Sequence, residues 1–181
     1  MKSLAPGFLI ATPQLMDTNF QQAVVLMIEH SAEGSMGLVI NRTAPLTFAH
    51  LAKSQEIPVA ASREHEALFQ GGPVEPYRGF VLHDSERVEE RHEVLPGLFL
   101  SVTSDALEPL LLDEQAHLRF CLGYAGWGAG QIEFEMKQGS WLFTEASRQA
   151  VLFDDPSKVW EQVIKGMGID PGWVVPPGGV N

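Results

Sequence analysis

The apolar positions fall into short runs separated by turn residues, with a helical period in only four places. Gly7-Phe8-Leu9-Ile10-Ala11 stops at Thr12-Pro13. Proline cannot donate to the next ladder bond, so the run predicts a strand. Ala23 to Ile28 is unbroken and partly β-branched, which predicts a strand covered on both faces and therefore central. A turn over Ser31 to Ser35 leads into Met36-Gly37-Leu38-Val39-Ile40, ending at Asn41-Arg42. So short a connection makes the two strands antiparallel neighbours.

Phe48, Leu51 and Ala52 sit at i, i+3 and i+4 and predict a helix between Leu46 and Gln55. The mixed stretch Glu56 to Glu66 reads as a mobile connection. Leu68-Phe69-Gln70 meets Gly71-Gly72-Pro73-Val74, where two glycines before a proline impose an abrupt change of direction and bare the backbone. Gly37 to Asn41, Gly79 to His83 and Gly97 to Ser101 share one layout, glycine then three apolar residues then a polar end. No fixed period relates them, so they predict similar strands in a sheet and no solenoid. Ser104 and Asp105 are candidate caps for a helix through Leu107, Leu110 and Leu111, with Pro109 crowding its first turn. Trp141 to Phe143 and Val151 to Phe153 read as brief strands. Asp155, Pro156 and the apolar face Val159, Val163, Ile164 and Met167 give the clearest helix. The proline- and glycine-rich tail, 169–181, is irregular, loose or pinned by Trp173.

The pattern centres on residues 118–139. Leu118, Phe120 and Leu122 alternate with Arg119 and Cys121 as in a half-buried strand, four glycines follow at 123, 126, 128 and 130, and Ile132 and Met136 begin a short helix that Gly139 stops. A strand, a glycine turn and a helix start can present unpaired N–H groups to a polar or anionic ligand. Glycines also serve turns of positive φ and tight packing with no ligand present.

At 181 residues the chain suits one domain, 1–181, with room for a small lobe. The single cysteine, Cys121, cannot form an internal disulfide. Twelve Lys plus Arg against 23 Asp plus Glu give a formal net charge of −11. That field repels phosphate backbones, and Arg63, Arg78, Arg87 and Arg91 are dispersed among acids as on a solvated mixed surface, so direct nucleic-acid binding is not expected. No apolar run approaches the roughly 20 residues of a membrane span. The N-terminal run is too short for a signal peptide, so no membrane association and a cytoplasmic location are expected.

Neither a Gly-x-Ser-x-Gly elbow, a Gly-x-Gly-x-x-Gly fingerprint nor a phosphate loop occurs, and no two histidines have metal-ligand spacing, so no cofactor and no sequence-local metal site are expected. His30 and His83 end two predicted strands beside Glu29 and Asp84. Strand neighbours point to opposite faces, so neither acid can orient its neighbour; such histidines bind a loop or, at a ligand-lined rim, act as bases. Cys121 is either an inert core thiol or a thiolate favoured by Arg119. Glu133 and Glu135, two apart on a helix, do not share a face.

The blocks Phe8 to Ala11, Glu29-His30, Gly37 to Arg42, Gly71 to Val74, Val81 to His83 and Gly123-Tyr124-Ala125-Gly126-Trp127 with Gly130-Gln131-Ile132-Glu133 and Glu135 resemble the bacterial YqgE/AlgH family over nearly the whole chain. Thr43, Ser35 and Ile132 depart from its usual residues. The resemblance implies an α+β fold with a mixed, bent, largely antiparallel sheet, barrel-like in part and flanked by helices. It also implies a transcriptional regulator with no particular reaction attached. The acidic balance then points to action through a protein or small-molecule partner.

Two readings follow. In the first the protein is a non-catalytic regulatory or ligand-binding protein. Gly71, Gly72 and Pro73 together with Gly126, Trp127, Gly128, Gly130 and Gln131 line one pocket, with Asn41 and His83 at strand ends beside it, for a polar or anionic small molecule. In the second it is a hydrolase or transferase with His83 or His30 as base and the backbone N–H groups of Gly128 to Gln131 as an anion hole. Tyr124, Trp127 and Trp173 are candidate aromatic anchors for a protein partner.

Overall fold

A computed structural model describes residues 2–172 of the chain. Ten strands join one sheet that curls into a half-barrel, with five α-helices around it among these residues. The strands are β1 (Gly7–Ala11), β2 (Val24–Ser31), β3 (Gly34–Val39), β4 (Thr43–Thr47), β5 (Ala67–Gln70), β6 (Val74–His83), β7 (His92–Leu95), β8 (Leu98–Ser101), β9 (Leu118–Gly128) and β10 (Trp141–Thr144). The helices are α1 (Phe48–Gln55), α2 (Ser104–Leu112), α3 (Gln131–Lys137), α4 (Arg148–Leu152) and α5 (Pro156–Gly166). Eight strands run in the order β10-β1-β2-β3-β9-β6-β8-β7; β4 pairs with β5, and β5 joins β9 in the one parallel pairing. The sheet is therefore mixed, bent and largely antiparallel, as the resemblance implies.

Successive side chains of a strand point to opposite faces, and here both faces are covered. Phe8, Ile10, Val24 and Leu26 pack with Leu38, Phe80, Leu82, Leu98 and the apolar faces of α4 and α5. Only the concave side of a curled sheet can gather residues from β1 and β8 into one cluster. The alternate residues Leu9, Ala11, Val25 and Met27 pack outward against Trp127, Ile132 and Trp141. A third cluster seats α1 and α2 on β6 and β9 through Phe48, Leu110, Leu111 and Phe120. At about 1.5–3 kcal/mol per fully buried large apolar side chain, these clusters dominate the fold's stabilisation. The unbroken apolar run of β2 is the local signature of this two-sided burial.

Three local expectations are corrected. The strand does not end at Leu122: β9 continues through all of Gly123 to Gly128, because Gly126 and Gly128 lie opposite Met36 and Gly34 of β3 and complete that ladder. The turn shrinks to Ala129-Gly130, with Gly130 at φ 71°. Val151 to Phe153 is no strand. Ser147 Oγ accepts from the Ala150 N–H and caps α4, whose inward face includes Val151 and Leu152. The connection after α1 is also no slack loop. It holds a 3₁₀ turn (Ala61–Arg63), and Arg63, expected on the surface, is buried and donates to the carbonyls of Asp113 and Ala116 at 2.7 Å each. Trp173, expected to pin the tail or anchor a partner, lies outside the described residues.

Candidate functional site

The concave face is sealed by α4 and α5 over part of its length. The rest is open and forms a cleft of about 1150 Å³ lined by strands and by the N-terminal Ser3 to Ala5 segment. Its floor is the edge of the inner core: Phe80 and Leu100, with Ile28, Met36 and Tyr124 half-buried against them. Phe80 and Tyr124 meet edge to face, 5.9 Å between centroids. The rim is polar. The β2–β3 hairpin supplies Glu29, His30 and Glu33, β6 supplies Arg78, and β7 supplies His92.

His30 is held on both sides. Its Nδ1 accepts the Leu4 N–H at 3.0 Å, so the ring proton sits on Nε2 and is donated to Glu133 Oε1 at 2.7 Å. That bond holds the Glu133 carboxyl below the usual carboxylate range. The orienting acid for His30 comes from α3, and Glu29 beside it plays no such part. The His92 ring has no hydrogen-bond partner among the described residues. Ser3 and Ser31 donate to backbone carbonyls, and the Ser35 hydroxyl is shut from solvent.

His83, expected beside the pocket, is fully buried. Nδ1 accepts the Ser85 N–H at 3.2 Å, so Nε2–H donates to Ser101 Oγ at 2.8 Å, and Ser101 Oγ donates to the Glu90 carbonyl at 3.1 Å. Burial pushes the imidazole down to about 4. This is the reverse of the arrangement that activates a serine, in which the ring accepts from the hydroxyl. Cys121 is likewise buried, its thiol pushed up to about 12 by burial.

The two glycine segments meet backbone on backbone. A Cβ on Gly71 would collide with the Gly123 carbonyl oxygen, and one on Gly72 (φ 155°) with the Tyr124 carbonyl. There they permit close packing. Gly72 and Pro73 line a cavity of about 310 Å³ with Arg42 and Tyr77, whereas Gly126 and Trp127 line the large cleft; none of the cavities described takes lining from both segments. Gly128 N–H is taken by Gln131 Oε1 at 2.9 Å. Nothing lies within 4 Å of a Cβ built on Gly130. Asn41 spends its amide on the Val24 N–H and the Gln22 carbonyl, fixing the start of β2. The Trp127 ring belongs to the outward cluster, 6.0 Å from Phe20 and 5.8 Å from Trp141. The aromatic side chain on the cleft floor is instead Tyr124, three residues earlier on β9.

Residues 8–172 match the AlgH-like family model. A UPF0301 protein of Myxococcus xanthus is 60% identical over 181 residues, covering all of both chains. The chain belongs to the AlgH-like family. A UPF0301 protein of Stutzerimonas stutzeri is 40% identical, covering 86% of each chain. The solution structure of the AlgH protein from Pseudomonas aeruginosa superposes with a TM-score of 0.74 at 36% identity, covering 93% of this chain and 91% of that one. A crystal structure from Corynebacterium diphtheriae, 21% identical with a TM-score of 0.69 over 92% of this chain and 87% of that one, shares the fold. In this AlgH-like chain no group of His, Cys, Asp and Glu among the described residues is placed to hold a metal ion, and no helix among them is long and apolar enough to cross a membrane.

Sequence reasoning missed Met36, Arg78 and His92 as cleft residues. Only the curl of the sheet brings β3, β6 and β7 to one opening. The traceable signal was the period of two on β9, which puts Tyr124 and Trp127 on opposite faces.

Proposed function

We propose that this protein is a non-catalytic binding protein that exerts a regulatory role through a partner seated in the cleft at the open end of the half-barrel, without touching DNA. One observation carries the reading: a large cleft stands open while its one oriented histidine, His30, has both ring nitrogens committed within the chain, and His92 on the rim has no carboxylate among the described residues to orient it. A general base needs a nitrogen free to take the substrate's proton. The charge of −11 opposes contact with nucleic acid. Of two occupants, a polar or anionic small molecule and a protein partner, size favours the protein. About 1150 Å³ exceeds the roughly 300–1,000 Å³ of small-molecule sites.

The test joins an esterase, phosphatase and acyl-transfer screen to anisotropy titrations with duplex DNA. No turnover distinguishable between wild type, His30→Ala and His83→Ala, and no DNA binding at moderate salt, is the expected result. Turnover lost in either variant, or saturable DNA binding, would overturn the reading.

A further inference from the structure

The partner's chemistry follows from the charge and apolar layout of the cleft. Glu29 and Glu33 are exposed on the rim, and neither has an ion-pair partner among the described residues. The rim's one Arg, Arg78, is already compensated: its guanidinium lies 3.2 Å from Glu75 Oε2 and 5.1 Å from the centre of the Phe80 ring. Two free carboxylates against one neutralised cation leave the opening negative, within a chain of net charge −11. A carboxylate or phosphate entering there meets like charge, whereas a cation is attracted and steered.

The floor supplies the second requirement. The half-buried side chains of Ile28, Met36 and Tyr124, backed by buried Phe80 and Leu100, form an apolar and aromatic strip below the acidic rim. Such a strip buries apolar side chains. Strands rather than helices supply most of the lining, which suits an extended segment.

Building on the proposed function, we infer that the cleft is the docking surface for a basic, amphipathic protein segment, its Lys or Arg side chains set against Glu29 and Glu33 and its apolar side chains on the Phe80–Tyr124 floor.

The test uses two fluorescent peptides, one alternating leucine with lysine and the other leucine with glutamate, titrated by anisotropy at low and high salt. The lysine peptide is expected to bind and the glutamate peptide not. Glu29→Gln with Glu33→Gln should weaken the lysine peptide about tenfold, and Glu29→Lys with Glu33→Lys should transfer preference to the glutamate peptide. Glu89→Gln with Glu90→Gln, exposed acids outside the cleft, should change nothing. Equal weakening by that control, or equal affinity for both peptides, would overturn the inference while leaving a binding role intact. Catalytic turnover lost in His30→Ala would instead overturn the reading beneath it.

Discussion

His30 on β2 and Glu133 on α3 meet at 2.7 Å although 103 residues separate them. The bond ties the short helix after β9 to the rim of the cleft. Through Nδ1 the same ring also holds the N-terminal segment at Leu4. One imidazole thus fixes two walls that the sheet's own ladders leave unpaired.

Glu133→Ala should therefore cost about 1–3 kcal/mol, because it strands a donor on a side chain only 3% exposed. Glu133→Gln keeps an acceptor and should cost less. Urea unfolding gives the ranking, and amide exchange at Leu4 should quicken in the alanine variant. The pH sign is set by the lowered carboxyl: its contribution is present above the unfolded carboxylate range and is lost as pH falls through the folded value.

His83 acts with the same pH sign but through burial of a neutral ring. Its folded value is about 4 against an ordinary 6.5, so between those limits the unfolded chain binds a proton that the folded chain refuses. Stability should fall as pH drops through this window, by about 2 kcal/mol between neutrality and about pH 5. Urea midpoints at the two pH values measure the drop. His83→Gln, which has no titrating ring, should flatten it even if it lowers stability throughout.

The glycines divide by what stands next to them. Gly72→Ala drives a methyl into the Tyr124 backbone, which cannot give, and should cost about 3 kcal/mol or more. Gly130→Ala has open space around it and meets only the left-handed backbone at φ 71°, so about 1 kcal/mol is expected. Thermal or urea unfolding of the two variants checks the order.

Cys121 should resist thiol reagents in the native protein at mildly alkaline pH and react fully in denaturant. Its side chain is buried and its thiol is pushed up to about 12. Rapid native labelling would contradict that burial.

Much of the architecture was legible because two-sided burial leaves an unbroken apolar run, as in β2, and because Asp155-Pro156 is a strong helix start for α5. Misread elements share a physical cause. Val151-Leu152-Phe153 is too short for its period to distinguish strand from helix, and Gly126 and Gly128 of β9 look like a turn although the β3 ladder holds them in the strand. Arg63 was unreadable because its acceptors, the carbonyls of Asp113 and Ala116, lie some fifty residues away. The candidate site was legible only in part. Gly126 and the Glu29-His30 pair reach the cleft, but the assignment of Glu133 to His30 and the gathering of Arg78, His92 and Met36 depend on long-range curl.

Location of binding is the sharpest question for this molecule, and amide chemical-shift mapping with the leucine–lysine peptide answers it. Shifts should concentrate on Ile28 to Met36, Arg78 to Phe80 and Tyr124 to Trp127, with the α1–α2 side of the sheet unmoved. Shifts confined to the α1–α2 side, or spread evenly over the acidic surface, would contradict the assignment of the half-barrel's open end as the binding surface.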